Sequence, residues 1–179
     1  KENRKNSLLS DITFSRQKIE LYKIGIIIDL TNQYIENKYS VVIFVNFNKS
    51  IELLSGILNT KCIIWGSQTI EERNKNLKKF QTNKEKIIIC NIQAGGQSID
   101  LHDINGGNPR VSLIIPSYSS TQLLQALGRI HRAGSKTPAI QKIIFCSGTI
   151  EDHINERLEN KISQLKEIND NDLSFVIKN

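Results

Sequence analysis

The chain has 179 residues, enough for one domain of ordinary size with a real core, or at most two small ones. Hydrophobic residues make up 39% of it and aromatics 6%, and the formal charge is +6, a mild lean toward a polyanionic partner without a base-stacking surface. No apolar run reaches the roughly 18 residues of a membrane span, and no signal-peptide pattern opens the chain.

Cys62, Cys90 and Cys146 stand far apart, each in or beside an apolar run, and no CxxC or HExxH spacing links them to His102, His131 or His153. Buried, reduced thiols in an intracellular setting are expected from such usage, and no metal site is. The chain starts at Lys1 and contains no Met, which reads as a piece trimmed from something longer.

In chain order, residues 16–37 read as a helix with a buried middle, IGIIIDL, weakened at Gly25. VVIFV (41–45) then begins a series of short, β-branched runs that are apolar on both parities: CIIW (62–65), IIIC (87–90), VSLIIP (111–116) and QKIIFC (141–146). Such runs suit strands buried on both faces of a parallel sheet. Between them, residues 48–58 place Ile51, Leu54 and Leu58 on one helical face. TIEERNKNLKKF opens with Thr69 as N-cap and Glu72 three residues later, a capping box, and its Lys75, Lys78 and Lys79 share a solvated face. NGGNP (105–109) is a turn-rich surface loop. GTIEDHINERLENKISQLKEI opens the same way at Thr149 and Asp152, then spaces Ile154, Leu158, Ile162, Leu165 and Ile168 by fours and threes as a long amphipathic helix. Strands alternating with helices argue for a doubly wound α/β domain.

Two stretches carry chemistry. IIICNIQAGGQSIDLHD (87–103) runs from an apolar strand into Ala94-Gly95-Gly96 and on to Asp100. Paired glycines at the carboxyl end of a parallel strand let backbone approach a ligand, although a plain tight turn explains them equally well. LLQALGRIHRAGSKT (123–137) ends like a phosphate loop but is not one: Ser135 stands between Gly134 and Lys136, and Pro138 and a strand follow instead of a helix. Read as a helix over 121–132, it brings Gln125, Arg129 and Arg132 within about 60° of one another, opposite Leu123, Leu127 and Ile130. Forked guanidiniums suit phosphate oxygens, and a solvated basic face is the alternative.

Five fragments together resemble the second RecA-like domain of superfamily-two helicases, most closely Swi/Snf-type translocases and their viral and phage relatives. SVVIFVNF (40–47) is similar to motif IV, WGSQTIEER (65–73) to the GS-x-x-x-EER element, CNIQAGGQSIDL (90–101) to motif V, QALGRIHRAGS (125–135) to motif VI, and SGTIEDHINERLENK (147–161) to the helix after it. They are collinear from about residue 16 to 168. The resemblance implies an α/β fold, a RecA-like parallel-sheet three-layer sandwich in a single domain over residues 1–168. Its core would span about 38–148, with a helical lead-in at 14–37, a C-terminal helix at 149–168 and a tail at 169–179.

The resemblance also implies a C-terminal motor domain of an ATP-dependent nucleic-acid helicase or translocase, with DNA the first choice of track. Arg132 matches the arginine finger and Arg129 a supporting contact; Gln125, Gly128, Asp100, Gly95 and Gly96 match nucleotide contacts; Asn46, Arg73 and Asn91 match contacts to the nucleic-acid backbone. ATP and Mg²⁺ would be held mainly by an N-terminal RecA-like domain, since no Walker A motif or DExH-type box occurs here, and the fragment alone is expected to be inactive. Partners are then that domain and a DNA or RNA backbone, without a membrane, inside a cell (cytoplasm or nucleus, an infected host's included). Ser98 stands where motif V usually has glycine, Gly128 replaces the acidic residue usual before the Swi/Snf arginine, and RAGS replaces RIGQ. These departures favour a compact helicase or DNA translocase over a nucleosome remodeller. The alternative is a non-enzymatic nucleic-acid- or protein-binding module that keeps the fold.

Overall fold

Five short runs of β-branched and aliphatic residues become five parallel strands because helices cover them from both sides. The computed structural model describes residues 2–95, 99–117, 119–149 and 151–168. In order these form α1 (Glu2–Tyr22), α2 (Ile24–Glu36), β1 (Ser40–Val45), α3 (Asn48–Ile57), β2 (Ile63–Ile64) and α4 (Ile70–Gln81). There follow β3 (Ile87–Asn91), α5 (Ile92–Gly95), β4 (Arg110–Ile114), α6 (Ser120–Leu127), β5 (Ala139–Ile143) and α7 (Glu151–Ile168). The sheet order is β2-β3-β1-β4-β5, with β1 at its centre, Val42 level with Ile88 on one side and Ser112 on the other.

Side chains alternate between two cores, as the period of a strand demands. Val42, Phe44, Ile88, Cys90 and Ile114 meet Phe80 of α4 and Leu123, Ala126 and Leu127 of α6. Val41, Ile43, Val45, Ile89, Val111 and Leu113 meet Ile24 and Ile27 of α2 and Ile51 and Leu54 of α3. That is the three-layer α/β sandwich expected from the sequence. The Thr69 capping box is present: Glu72 N donates to Thr69 Oγ1 at 3.2 Å and Thr69 N to Glu72 Oε2 at 3.0 Å. Among the described residues, no helix is long and apolar enough to cross a membrane.

Four expectations need correction. The helix over 16–37 is two helices broken at Lys23, not one weakened at Gly25. Lys23 is 3% exposed, and its ammonium donates to the Ile144 carbonyl at 3.0 Å and pairs with the buried Glu151 carboxylate of α7. The start of α7 is not a second capping box. Thr149 Oγ1 accepts from Glu151 N at 3.2 Å and donates to Cys146 O at 2.6 Å, while Asp152 accepts from Gly148 N at 2.9 Å. Ile154 is buried as expected, whereas the side chains of Leu158, Ile162, Leu165 and Ile168 lie outside the described residues. Cys62 and Cys90 are buried, but Cys146 is only half-buried. Finally, the helix over 121–132 stops at Leu127.

The NGGNP loop is a turn around one carboxylate. Asp103 accepts from the main-chain N–H groups of Asn105 (3.2 Å), Gly106 (3.1 Å) and Asn108 (3.0 Å) and from the Thr137 hydroxyl at 3.0 Å. Gly106 and Gly107 sit at φ +86° and +76°, a conformation that glycine adopts without Cβ strain. Arg110 is fully buried beside this loop, its guanidinium 4.3 Å from the Phe80 ring centroid and donating to Asn83 Oδ1 at 3.1 Å. Burial pulls its pKa down to about 10.

Candidate functional site

The residues picked out in the sequence gather in two places. The first is built where β3, through α5 and the following loop, comes against the turn after α6. Gly128 caps α6, donating its N–H to the Leu124 carbonyl, and Arg129 N turns tighter, donating to Ala126 O at 3.1 Å. Arg129 O then accepts from Leu101 N at 3.0 Å, and Ile130 is fully buried, so the chain leaves the helix to dock on the loop carrying Asp100.

This docking separates the two arginines. Arg129 is 8% exposed and its Nη1 donates to Ile99 O at 3.4 Å. Burial lowers its pKa, the nearby charge of Arg132 adds to that, and Asp100 opposes both. Arg132 points outward, its Nε donating to Gly128 O at 3.1 Å and its Nη1 to the Asp100 carboxylate. The side chains of that pair are 39% and 55% exposed. The expectation of two guanidiniums side by side on one helical face is therefore overturned: they come from the turn beyond the helix, one inward and one outward. Gln125 is exposed on α6, Gly95 ends α5, and Gly96 lies outside the described residues, as does Ser98. As a donor set this corner fits the edge of a polyphosphate: guanidinium nitrogen stands at the surface.

The second place is an open groove of about 660 Å³ across the carboxyl ends of β1 and β3. Asn46, Asn91 and Arg73, the three residues expected to meet nucleic acid, all line it, together with Lys49 and Gln93. Among the described residues no carboxylate lines the groove, so its charge is set by Lys49 and Arg73. Arg73 Nη2 donates to Trp65 O at 3.5 Å, while its buried Nε has no hydrogen-bond partner. A guanidinium on a groove wall suits an anionic oxygen.

Asn46 is tied inward as well. Its amide donates to Glu20 Oε2 at 2.9 Å and to Pro116 O at 3.2 Å, and its carbonyl accepts from Asn91 Nδ2 at 3.1 Å. Sequence reasoning missed Glu20, which is 1% exposed, along with Gln17 on the groove wall. A signal was available. Glu20 falls three and four residues before Lys23 and Ile24 on a stripe that continues through Ile27 and Thr31, all buried. A charge on a core stripe needs a built partner.

The Helicase conserved C-terminal domain family matches residues 22–134, most of the sheet and both candidate clusters. The chain belongs to that family. A protein of Acanthamoeba polyphaga mimivirus described as a "Putative ATP-dependent RNA helicase" is 46% identical over 92% of this chain and 31% of its own length. The DNA repair and recombination protein RDH54 of Saccharomyces cerevisiae is 25% identical over 71% of this chain and 14% of its own. Among solved structures, the C-terminal domain of the DEAD-box protein Dbp5 shares the fold with a TM-score of 0.58 at 20% identity, over 82% of each chain. The helicase C-terminal domain described here thus spans about a third or less of the length of these curated relatives.

Proposed function

We propose that this helicase C-terminal domain is the second half of an ATP-driven nucleic-acid motor. ATP and Mg²⁺ lie between it and an N-terminal RecA-like domain, which brings the phosphate loop and the acidic residues that hold the metal. Arg132 reaches across the cleft to the terminal phosphate. Arg129, buried behind it and within its field, holds the turn in shape and adds positive potential. Arginine side chains in that role neutralise charge on the transferring phosphoryl group. Gln125, Gly128, Asp100 and Gly95 form the surrounding nucleotide surface, and Gly96 is assigned to nucleotide contact by the motif alone.

The observation that carries the nucleic-acid half of the reading is the groove. Asn46, Arg73 and Asn91 come from three separate sequence motifs and line one surface on which, among the described residues, no carboxylate stands. Contacts of that kind are to backbone rather than base and weaken with salt. Domain closure around ATP and reopening after hydrolysis would convert alternating grips into stepping. The Swi/Snf-type motifs make DNA the first track to test, and the names of the relatives divide between RNA and DNA, so both belong in the assay. We set the motor inside a cell, where free thiols such as Cys62, Cys90 and Cys146 stay reduced.

The test is ATP hydrolysis by the protein carrying both RecA-like domains, titrated with single- and double-stranded DNA and RNA. One of these should stimulate turnover, and stimulation should fade as salt rises. Arg73→Ala should shift half-maximal stimulation to severalfold higher nucleic-acid concentration. Turnover indifferent to every nucleic acid offered would contradict the reading.

A further inference from the structure

The end of α1 is built into the groove although it precedes the stretch matched by the family, which begins at residue 22. The connection after β1 runs toward β2 and the one after β4 toward β5, so the carboxyl ends of these neighbouring strands flank the gap where open α/β sheets bind ligands. Here that gap is stitched by Asn46 Nδ2 donating to Pro116 O. The carboxylate of Glu20 fills the place beneath it. It accepts from Asn46 N at 3.0 and 3.2 Å, from Phe47 N at 3.1 Å and from Asn46 Nδ2 at 2.9 Å. These main-chain donors lie just ahead of α3, where Phe47 takes the N-cap position without a side-chain cap of its own. A carboxylate at that place also suits the helix dipole.

One turn earlier on the same helix, Gln17 lines the groove beside Lys49 and Arg73, half-buried with an uncharged amide. Next to it, the Arg16 guanidinium lies 6.0 Å from the centroid of the Phe47 ring. The lead-in helix therefore holds the turn that presents Asn46 and Asn48, and extends the wall those residues begin.

We infer that α1 is a working part of the nucleic-acid groove: Gln17 contacts the sugar–phosphate backbone, and Glu20 is a positioning residue that fixes the β1–α3 turn through Asn46. This rests on the groove reading given above. Glu20 touches no ligand itself; its carboxylate is taken up by main-chain and amide donors, so it orders the turn and keeps its charge from the groove surface. Asn91, which donates to Asn46 O, is held by the same chain of bonds.

The experiment is fluorescence anisotropy of a labelled single-stranded oligonucleotide, DNA and RNA in parallel, with the two-domain protein over a range of salt. Gln17→Lys should tighten binding and steepen the fall of log K with log salt by about 0.7, one added phosphate contact on a single strand. Gln17→Glu should weaken binding severalfold, and Arg73→Ala serves as the groove control. If Arg73→Ala weakens binding while both Gln17 variants match the parent at every salt, α1 is no part of the groove and the inference falls, with the groove reading intact. If Arg73→Ala also matches the parent, the groove reading fails and the inference with it. For Glu20, the Glu20→Gln variant should raise the nucleic-acid concentration for half-maximal ATPase stimulation severalfold, more than it lowers the maximal rate. Its effect should not add to that of Asn46→Ala. Equal changes in both parameters, or simple additivity, would overturn the positioning role. The Gln17 variants decide the wall contact whether or not Glu20→Gln folds.

Discussion

Arg132 donates from Nη1 to the Asp100 carboxylate while its Nε folds back to within 3.1 Å of the Gly128 carbonyl. The guanidinium is thus held at the surface by a residue of the stretch that resembles motif V. Both side chains are well exposed, so water competes with the pair.

That exposure sets the energy of the contact. Urea unfolding of the parent, Asp100→Asn, Arg132→Ala and the double variant should give a coupling energy below about 1 kcal/mol. The pair is then a resting place that ATP can displace. A coupling above about 2 kcal/mol would make it a structural clamp and would argue against Arg132 leaving it.

Asp103 should govern the acid limb of stability. Burial pushes its pKa up, but hydrogen bonds from Asn108, Thr137, Gly106 and Asn105 outweigh that and hold it below the ordinary carboxylate value. A depressed carboxylate stabilises the fold above its unfolded pKa, and that contribution is lost as pH falls through the folded one. Asp103→Asn should cost about 1.5–3 kcal/mol at neutral pH, since amide hydrogens replace an acceptor among main-chain donors. Its stability should also fall less steeply than the parent's below about pH 4. Parallel loss in the two proteins during acid titration, followed by circular dichroism, would contradict this.

The thiols should divide in the same way. Burial, aided by Glu85, pushes Cys62 up to about 12, and burial raises Cys90 as well. Raised thiol pKa values stabilise the fold fully below the unfolded value near 9, and that stability is lost as pH climbs toward about 12. Under native conditions near pH 8, iodoacetamide should label the half-buried Cys146 and spare Cys62 and Cys90, as read by mass spectrometry. Rapid labelling of Cys62 in the folded protein would show that its surroundings are open.

What the sequence made legible is what depends on local chemistry. Strands appear where β-branched runs predict them, with ends within three residues, and the Thr69 capping box is complete, although the same spacing at Thr149 and Asp152 gives none. What it concealed depends on distant partners. The lead-in helix breaks at Lys23, whose ammonium pairs with Glu151, 128 residues on. The motif VI helix ends at Leu127 because the Arg129 carbonyl is claimed by Leu101 N, and no hydrophobic period marks such a bond. The three groove residues were found through motifs, whereas Glu20 and Gln17 stand outside any motif; the apolar stripe marks Glu20 as a charge in need of a partner, but which partner, and the place of Gln17, emerge only once α1 is laid across the strand ends.

Steady-state hydrolysis by the two-domain protein with Arg132→Ala decides whether Arg132 acts on ATP from across an interdomain cleft. Because the side chain is well exposed, the variant should melt at the parent's temperature. Its nucleic-acid-stimulated turnover should fall by about 10³-fold or more. Turnover within twofold of the parent, with the fold intact, would mean that Arg132 does not act on the transferring phosphate.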